Sequence, residues 1–143
     1  MRFVRWLPIA FLTFVLGFAM SPIHFYVEGM GCGKVIDGGG GFSTTSYTSS
    51  YFVKLVSVNA QYVSPEKANQ IFAQRLTETE EIIEVGPKTD REGVVVGRRA
   101  MALFYSPELS CNYTEIFWTD GRFIHYISST SALHVKEFEK HQR

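Results

Sequence analysis

The fold is decided by residues 113–128, whose sequence is YTEIFWTDGRFIHYIS. Two runs rich in β-branched and aromatic side chains flank the dipeptide Asp120-Gly121. Such runs favour strands, and an Asp-Gly pair between them is typical of a two-residue hairpin turn. The sequence therefore predicts two adjacent antiparallel strands, at residues 113–119 and 122–128.

A turn at this dipeptide also predicts which side chains face each other across the hairpin. The predicted pairs are Trp118 with Phe123, Ile116 with His125, and Thr114 with Ile127. We expect one face of the hairpin to be core, formed by Trp118, Ile116, Phe123 and Ile127. We expect the other face to be amphipathic and half exposed, and it supplies a candidate partner-binding surface made of Tyr113, Phe117, Ile124 and Tyr126.

Further strands and two helices are predicted around this hairpin. Alternation of apolar and polar residues predicts a strand within residues 52–62, and β-rich runs predict strands at 82–85 and 94–105. Ser64-Pro65 begins a helix that carries an apolar stripe, and a second helix ends near His141. This order predicts an α+β fold: an N-terminal membrane helix, then a mainly antiparallel sheet of about five strands with two helices packed on one face.

The N-terminal segment has the composition of a membrane span. Residues 6–27 form a run of 22 without Asp, Glu, Lys or Arg, and Arg2 and Arg5 precede it. About 20 apolar residues cross a bilayer as a helix, and arginines before the span favour an N-terminus in the cytoplasm. We therefore expect residues 1–27 to be a signal-anchor that contacts the lipid bilayer through residues 6–27. The C-terminal domain of this single-pass protein would lie outside the cytoplasm.

A cleaved signal peptide is the main alternative to an anchor. Residues 7–18 form an apolar region of suitable length, and Gly17 and Ala19 are small residues placed for a cut after Ala19. The product would then be secreted or periplasmic. A buried helix of a soluble protein is a third interpretation. The first two interpretations put the rest of the chain on the same side of the membrane.

The segment that follows has the composition of a linker. Residues 28–50 are rich in Gly, Ser and Thr, and residues 38–41 are four consecutive glycines. Glycine adds backbone freedom, and few apolar side chains are present to drive packing. We expect residues 28–50 to be a flexible tether and residues 51–143 to be the extracytoplasmic α+β domain.

Composition excludes several classes of protein. The chain has 143 residues with 14 Lys+Arg against 14 Asp+Glu, so its formal net charge is zero. A dedicated nucleic-acid binder normally carries a basic patch, so nucleic acid is not an expected partner. Hydrophobic residues make up 45% of the chain, which argues against disorder throughout. Two cysteines are too few for a disulfide-dense scaffold or a four-thiolate zinc site.

No catalytic or cofactor motif is complete. The glycine-rich residues 29–34 lack the earlier glycine and the following hydroxyl that a phosphate loop requires. No Gly-x-Ser-x-Gly nucleophile motif occurs. His134, Glu137 and His141 share a face of the last helix, but their spacing is not that of a zinc-protease motif. We therefore expect no metal and no cofactor.

His125 is the best candidate for a general base or a ligand contact, because it lies in mid-strand near two acidic residues in sequence. Arg98 and Arg99 are the candidate anion contacts. Adjacent residues of a strand point to opposite faces, so one arginine of the pair can reach a carboxylate while the other is exposed. A structural histidine and a surface arginine pair remain the alternative interpretation of these three residues.

Cys32 and Cys111 are a candidate disulfide. They are the two cysteines of the chain, so one intramolecular pairing exists. Disulfides persist in the oxidising environment outside the cytoplasm. A bond between them would fix the predicted tether to one end of the sheet. Two unrelated cysteines that lie too far apart to bridge are the alternative.

Two functions are consistent with these observations. The first is a membrane-anchored extracytoplasmic binding or assembly module without catalytic activity, with a protein partner or a second copy of the chain on the amphipathic hairpin face. The second is a small envelope enzyme or ligand-binding domain with a cleft around His125 and Arg98 or Arg99. A deep pocket at His125 favours the second, and a flat apolar patch favours the first.

Overall fold

A computed structural model of the chain describes residues 22–35 and 39–142. These residues form seven strands and two helices. The strands are β1 (Phe25–Lys34), β2 (Gly41–Ser49), β3 (Lys54–Gln61), β4 (Glu81–Thr89), β5 (Val95–Ser106), β6 (Cys111–Asp120) and β7 (Phe123–Ser129). The helices are α1 (Pro65–Thr77), between β3 and β4, and α2 (Ala132–His141), after β7.

All seven strands belong to one antiparallel sheet with the order β1-β2-β3-β7-β6-β5-β4. Helix α1 carries the chain from β3, near the middle of the sheet, to β4 at its far edge. The chain then returns through β5 and β6 to β7, which pairs with β3. The strands β7 and β6 therefore lie near the centre of the sheet, where a helix can cover each face.

Helix α1 packs on one face of the sheet. It begins as predicted at Ser64, whose Oγ accepts a hydrogen bond from the Lys67 N–H at 3.1 Å, and Pro65 occupies the first turn. The helix buries Ala68 and Phe72 in a core that includes Phe117, Ile124, Ala60, Ala100, Ala102 and Phe104.

Helix α2 packs on the opposite face. Ser131 caps its first turn, because its Oγ accepts a hydrogen bond from the His134 N–H at 3.3 Å. The helix buries Val135 and Phe138 in a second core with Leu55, Met101, Ile116, Trp118 and Ile127. The molecule therefore has two cores that share one sheet.

The predicted arrangement of about five strands with both helices on one face is wrong. The structure has seven strands and one helix on each face. The reason is visible in β6, where Ile116 and the adjacent Phe117 point to opposite faces and are both fully buried. A central strand that is buried on both faces loses the alternation on which the prediction of a half-exposed hairpin rested.

The two additional strands, β1 and β2, lie where a flexible tether was expected. Their polar and glycine-rich sequences carry little hydrophobic signal, yet β2 pairs with β3 along its length through backbone hydrogen bonds. Phe25 of β1 and Tyr47 of β2 also pack against the core beneath α2. Backbone pairing does not depend on side-chain type, so composition alone missed these strands.

The predicted membrane span is only partly within the described residues. Its last residues, 25–27, belong to β1 rather than to a helix. Among residues 22–35 and 39–142, no helix is long and apolar enough to cross a bilayer. Residues 1–21, which hold most of the predicted span, lie outside the described residues.

The predicted hairpin between β6 and β7 exists, but its register differs. The turn consists of Gly121 and Arg122, so Asp120 pairs with Phe123. Trp118 therefore faces His125 rather than Phe123, and Ile116 faces Ile127 rather than His125, while Thr114 faces Ser129. The shift keeps each residue on its predicted face, because facing residues move by an even number along the partner strand.

Candidate functional site

His125 lies in a cleft on the α2 face of the sheet. In the register, it stands opposite Asn59 of β3 on one side and Trp118 of β6 on the other. The cavity has a volume of about 330 Å³. We call it the His125 cleft, and the lining residues that matter here are Asn59, Lys88, Arg91, Trp118, Asp120 and His125.

Aromatic stacking holds the His125 ring in place. Its centroid lies 5.1 Å from that of Trp118, and the two ring planes are 23° apart. The Lys88 ammonium lies over the Trp118 ring, with Nζ 4.2 Å from its centroid. A cation above an aromatic face is attracted by the ring's negative π-face. The cleft therefore has an aromatic centre with a positive charge on one side.

A hydrogen bond sets the tautomer of His125. Its Nδ1 contacts the Oδ1 of Asn59. A carbonyl oxygen only accepts, so Nδ1 carries the hydrogen and donates it, which leaves Nε2 of a neutral ring as an acceptor. Burial lowers the pKa of His125; the charge of Asp120 opposes this effect and that of Lys88 adds to it. The imidazole is therefore neutral near pH 7 and presents one acceptor nitrogen.

The predicted arginines do not line the His125 cleft. Arg99 is on the α2 face, where its Nε and Nη2 donate to both oxygens of the buried Glu139 at 2.7 and 2.8 Å. Its Nη1 donates to Glu84 at 2.9 Å. Lys88 also pairs with Glu139, at 3.5 Å. Arg99 is thus part of an ion-pair network that joins α2 to β4 and β5.

Arg98 points to the opposite face. Its guanidinium carbon lies 4.8 Å from the ring centroid of Phe72 in α1, and its backbone N–H donates to the Thr119 hydroxyl at 2.9 Å. The structure therefore separates Arg98 from His125 by the thickness of the sheet. The basic side chains that do line the cleft, Lys88 and Arg91, come from the β4–β5 hairpin.

The sequence missed these cleft residues because the predicted strand ended at Val85. Strand β4 continues through Gly86-Pro87 to Thr89, and it does so at the edge of the sheet, where proline is tolerated. The available signal was the turn after it: Asp90 Oδ1 accepts from the Glu92 and Val94 N–H groups, both at 2.9 Å. An Asp at the start of such a turn marks the end of a strand.

The predicted partner-binding face of the hairpin is covered by α1. Phe117 and Ile124 are each 0% exposed and belong to the core beneath that helix. Tyr113 and Tyr126 are partly buried at its margin. The Tyr113 hydroxyl accepts from Arg75 at 3.1 Å, and the Tyr126 hydroxyl lies 3.5 Å from that of Tyr62. These four residues do not form an open docking surface.

Tyr126 also borders an apolar groove beside α1. The groove has a volume of about 390 Å³ and lies between α1 and strands β2 and β3. Burial raises the pKa of Tyr126 well above its ordinary value, and the nearby Tyr62 hydroxyl adds to the shift. The Tyr126 hydroxyl is therefore a neutral hydrogen-bonding group and not a base.

Cys32 and Cys111 are both free in the structure. Cys32 lies on the edge strand β1, and Cys111 begins β6, four positions away in the sheet order. Four strand spacings amount to about 19 Å, whereas bridged cysteines have Cα atoms within about 7 Å. The predicted disulfide is therefore not formed, and it does not fit this sheet.

A serine–histidine–serine cluster at the start of α2 was not anticipated. His134 Nε2 lies 2.9 Å from Ser49 Oγ, and its Nδ1 lies 2.7 Å from Ser131 Oγ. A serine beside a histidine is also the arrangement of an activated nucleophile. Here, however, Ser49 is buried, and its Oγ already accepts from the Tyr51 and Val53 N–H groups at 3.1 and 3.2 Å. With both lone pairs engaged, this oxygen is structural.

The described residues contain no group of three or more His, Cys, Asp or Glu that could hold a metal ion. Both nitrogens of His134 are engaged by serines, so it does not join His141 as a ligand. Comparison with known proteins adds no assignment, since no protein-family model, curated protein or solved structure matches the chain.

Proposed function

We propose that the protein is a membrane-anchored domain outside the cytoplasm, which binds a small polar ligand in the His125 cleft without acting on it chemically. The observation that carries this proposal is the cleft itself, a cavity of about 330 Å³ centred on one imidazole that is held by stacking and by a hydrogen bond. Pre-formed cavities with a few converging polar groups are typical of ligand sites.

The polar groups of the cleft indicate the class of ligand. The neutral His125 offers an acceptor nitrogen, the Asp120 carboxylate offers further acceptors, and the Lys88 ammonium, which is paired with Glu139, adds a positive charge. The cavity is near the lower limit of small-molecule sites, which span roughly 300–1,000 Å³. A ligand with both donors and acceptors, such as a free amino acid, a dipeptide or a monosaccharide, fits these groups.

Binding is better supported than catalysis. A serine, threonine or cysteine nucleophile needs a base within hydrogen-bond reach. In the described part of the chain, the His125 side chain is hydrogen-bonded to the Asn59 amide and not to such a nucleophile. The arginines that were expected to complete an enzyme site pair with acids or cover Phe72 instead.

The membrane part of the proposal is supported by the sequence. Residues 6–24 contain no Asp, Glu, Lys or Arg, and Arg2 and Arg5 precede them. This run has 19 residues, close to the number that crosses a bilayer. It ends just before β1, so the domain follows the span directly.

The ligand proposal can be tested by nuclear magnetic resonance on the full chain in lipid nanodiscs. Free amino acids, dipeptides and monosaccharides are titrated while the imidazole signals of His125 and the indole signal of Trp118 are followed. We expect one of these classes to shift both signals saturably. His125→Ala should abolish the response at Trp118, whereas His141→Ala, an exposed histidine outside the cleft, should preserve it. Absence of a saturable shift with all three classes, or binding that survives His125→Ala, would contradict the proposal.

A further inference from the structure

Large apolar side chains are exposed where the described chain begins. Phe52 is 88% exposed, Leu133 is 61% exposed and Tyr51 is 40% exposed. Phe52 and Tyr51 lie in the turn between β2 and β3, and Leu133 lies in the first turn of α2. We call residues 24, 50–53 and 131–133 together the entry end of the domain.

Hydrogen bonds join the parts of the entry end. The His24 carbonyl accepts from the Ser50 N–H at 2.8 Å, and the His24 N–H donates to Ser50 Oγ at 3.1 Å. Ser49 is bonded to His134 at 2.9 Å, and the Tyr51 ring packs edge-on against the same histidine. The chain that arrives from the apolar N-terminal run is thus fixed to the turn that exposes Phe52, and this turn is fixed to α2.

The backbone conformation of Phe52 indicates that its exposed side chain contacts something outside the domain. Its φ is 61°, in the left-handed region that disfavours a bulky side chain. Strained backbone persists where surrounding structure or function maintains it. Since the Phe52 ring is almost fully exposed, the domain's own core gains little from it. The geometry therefore presents a large apolar side chain outward.

If the N-terminal run spans a bilayer, the entry end must lie next to that bilayer. Residues 22–24, the last three residues of that run, are not helical and lead directly into β1, and three residues reach at most about 10 Å. This length is too short to lift the domain away from the lipid headgroups. Aromatic and aliphatic side chains are favoured at the boundary between headgroups and acyl chains.

We propose that the entry end rests in the interface of this bilayer, with Phe52 and Leu133 inserted among the lipids and Tyr51 at headgroup depth. This inference rests on the anchor in the proposed function. It also fixes the orientation of the His125 cleft. The seven residues of β7, about 20 Å of strand, run from its cleft-side beginning at Phe123 to the entry end. The cleft therefore lies at the end of the sheet that is farther from the bilayer.

The charges around the entry end agree with this contact. Lys54, the first residue of β3, and Glu28 of β1 neutralise each other at 2.6 Å. The other acidic residues at this end of the sheet, Glu78, Glu80, Glu81 and Glu108, belong to the far corner, beside β4 and the β5–β6 turn. A bilayer with anionic lipids repels that corner. The domain should therefore tilt so that β1, β2, β3 and α2 are nearest the membrane.

Spin labelling of the full chain tests this contact. The background carries Cys32→Ser and Cys111→Ser, and the chain is reconstituted into vesicles of phosphatidylcholine and phosphatidylglycerol. A nitroxide is placed at Phe52→Cys, and collision with oxygen is compared with collision with a water-soluble nickel chelate. We expect the oxygen-to-nickel ratio at position 52 to be several-fold higher than at Val94→Cys. Val94 is a matched control, since it is also apolar and exposed but lies at the opposite end of the sheet.

Leu133→Cys provides a second site if Phe52→Cys fails to fold, and the same increase is expected there. A ratio at positions 52 and 133 that equals the ratio at 94, in protein that floats with the vesicles, overturns the contact but leaves the anchor intact. Protein that does not float with the vesicles overturns the anchor and the contact together. The two failures are therefore distinguishable.

Discussion

The turn between β2 and β3 holds Phe52 at a positive φ, which other residue types adopt at lower cost. Among the described residues, Phe52 and Ser110 are the non-glycine positions with positive φ. The left-handed region costs an ordinary L-residue about 1–2 kcal/mol, and asparagine tolerates it. We expect Phe52→Asn to stabilise the domain by roughly 0.5–1 kcal/mol in urea unfolding of the full chain in micelles. Leu133→Asn, at another exposed apolar position that is helical, should give no gain. A lower unfolding midpoint for Phe52→Asn would show that the ring stabilises the fold.

Arg75 neutralises a carboxylate that the α1 face has buried. Its Nε and Nη2 each donate to Glu115 at 3.0 Å, and Glu115 is only 4% exposed. Removing one partner of a buried pair leaves an uncompensated charge and typically costs about 3–5 kcal/mol. We expect Arg75→Ala to lose this much unfolding free energy. Lys54→Ala, which breaks the exposed pair with Glu28, should leave the unfolding free energy nearly unchanged, because solvent screens that pair. Similar losses for the two variants would contradict the assignment.

His134 makes the stability of the domain depend on pH. Burial lowers the pKa of His134 below its ordinary value of about 6.5. The unfolded chain therefore binds a proton more readily than the folded one, so this stabilisation is present above pH 6.5 and is lost as pH falls through the folded pKa. Between pH 7.5 and 5.5, wild-type unfolding free energy should fall more than that of His134→Gln. Lys136→Gln is the neighbouring control, and it should keep the wild-type dependence. Equal slopes for wild type and His134→Gln would remove this role.

At the scale of the element, the β6–β7 hairpin depends on one glycine. Gly121 has a φ of +58°, and open space surrounds the position of an added Cβ. A β-branched residue there is strained by about 1–3 kcal/mol because of the positive φ, and no steric clash adds to this strain. We expect Gly121→Val to lose that unfolding free energy. Gly86→Val adds the same side chain in equally open space on β4, where no positive φ is required, so it should be neutral. Equal effects of the two changes would contradict the turn assignment.

Local signals in the sequence predict elements well when the element contains its own determinants. Helix α1 is one case, because Ser64 and Pro65 define its start by capping chemistry alone. Strands β1 and β2 are the opposite case. Their polar, glycine-rich residues form strands because β3 supplies backbone hydrogen-bond partners for β2, and β2 supplies them for β1. No side-chain pattern in the sequence indicates that pairing. The strand order, which places a helix on each face, is likewise set by contacts distant in sequence.

The candidate site likewise combines one residue that the sequence indicates with others that only the strand order brings to it. His125 was found because a histidine in mid-strand is conspicuous, but its partners Asn59 and Lys88 come from β3 and β4. Those strands lie on opposite sides of the hairpin in the sheet, and Asn59 is 66 residues away from His125 along the chain. The sequence indicated Arg98 and Arg99 instead, because they are adjacent basic residues of one predicted strand. Alternation along that strand places Arg98 on the face opposite the cleft. A cleft assembled across strands is visible only once their order is known.

The two ends of the sheet differ in the polarity of the side chains that they expose. The end at which β1 begins exposes Phe52 and Leu133, whereas the other end holds the polar His125 cleft. Both ends are tied to helix α2: its first turn is bonded to Ser49, and its buried Glu139 is bonded to Lys88 and Arg99. One helix therefore braces the apolar entry end and the cleft against the same sheet. If the entry end rests on a bilayer as proposed, this fixed spacing keeps the cleft away from the lipids.

The width of the sheet decides the state of the cysteines. Cys32 and Cys111 lie on strands four positions apart, about 19 Å, and the strands between them, β2, β3 and β7, are all paired. Bringing the two cysteines together would require β1 to leave β2, with loss of their backbone hydrogen bonds. We expect two reactive thiols per chain when non-reduced, denatured monomer is labelled with a maleimide, even after export to an oxidising compartment. Cys111→Ser should then show one thiol. Monomer without reactive thiols would mean that the sheet order proposed for β1 and β2 is wrong.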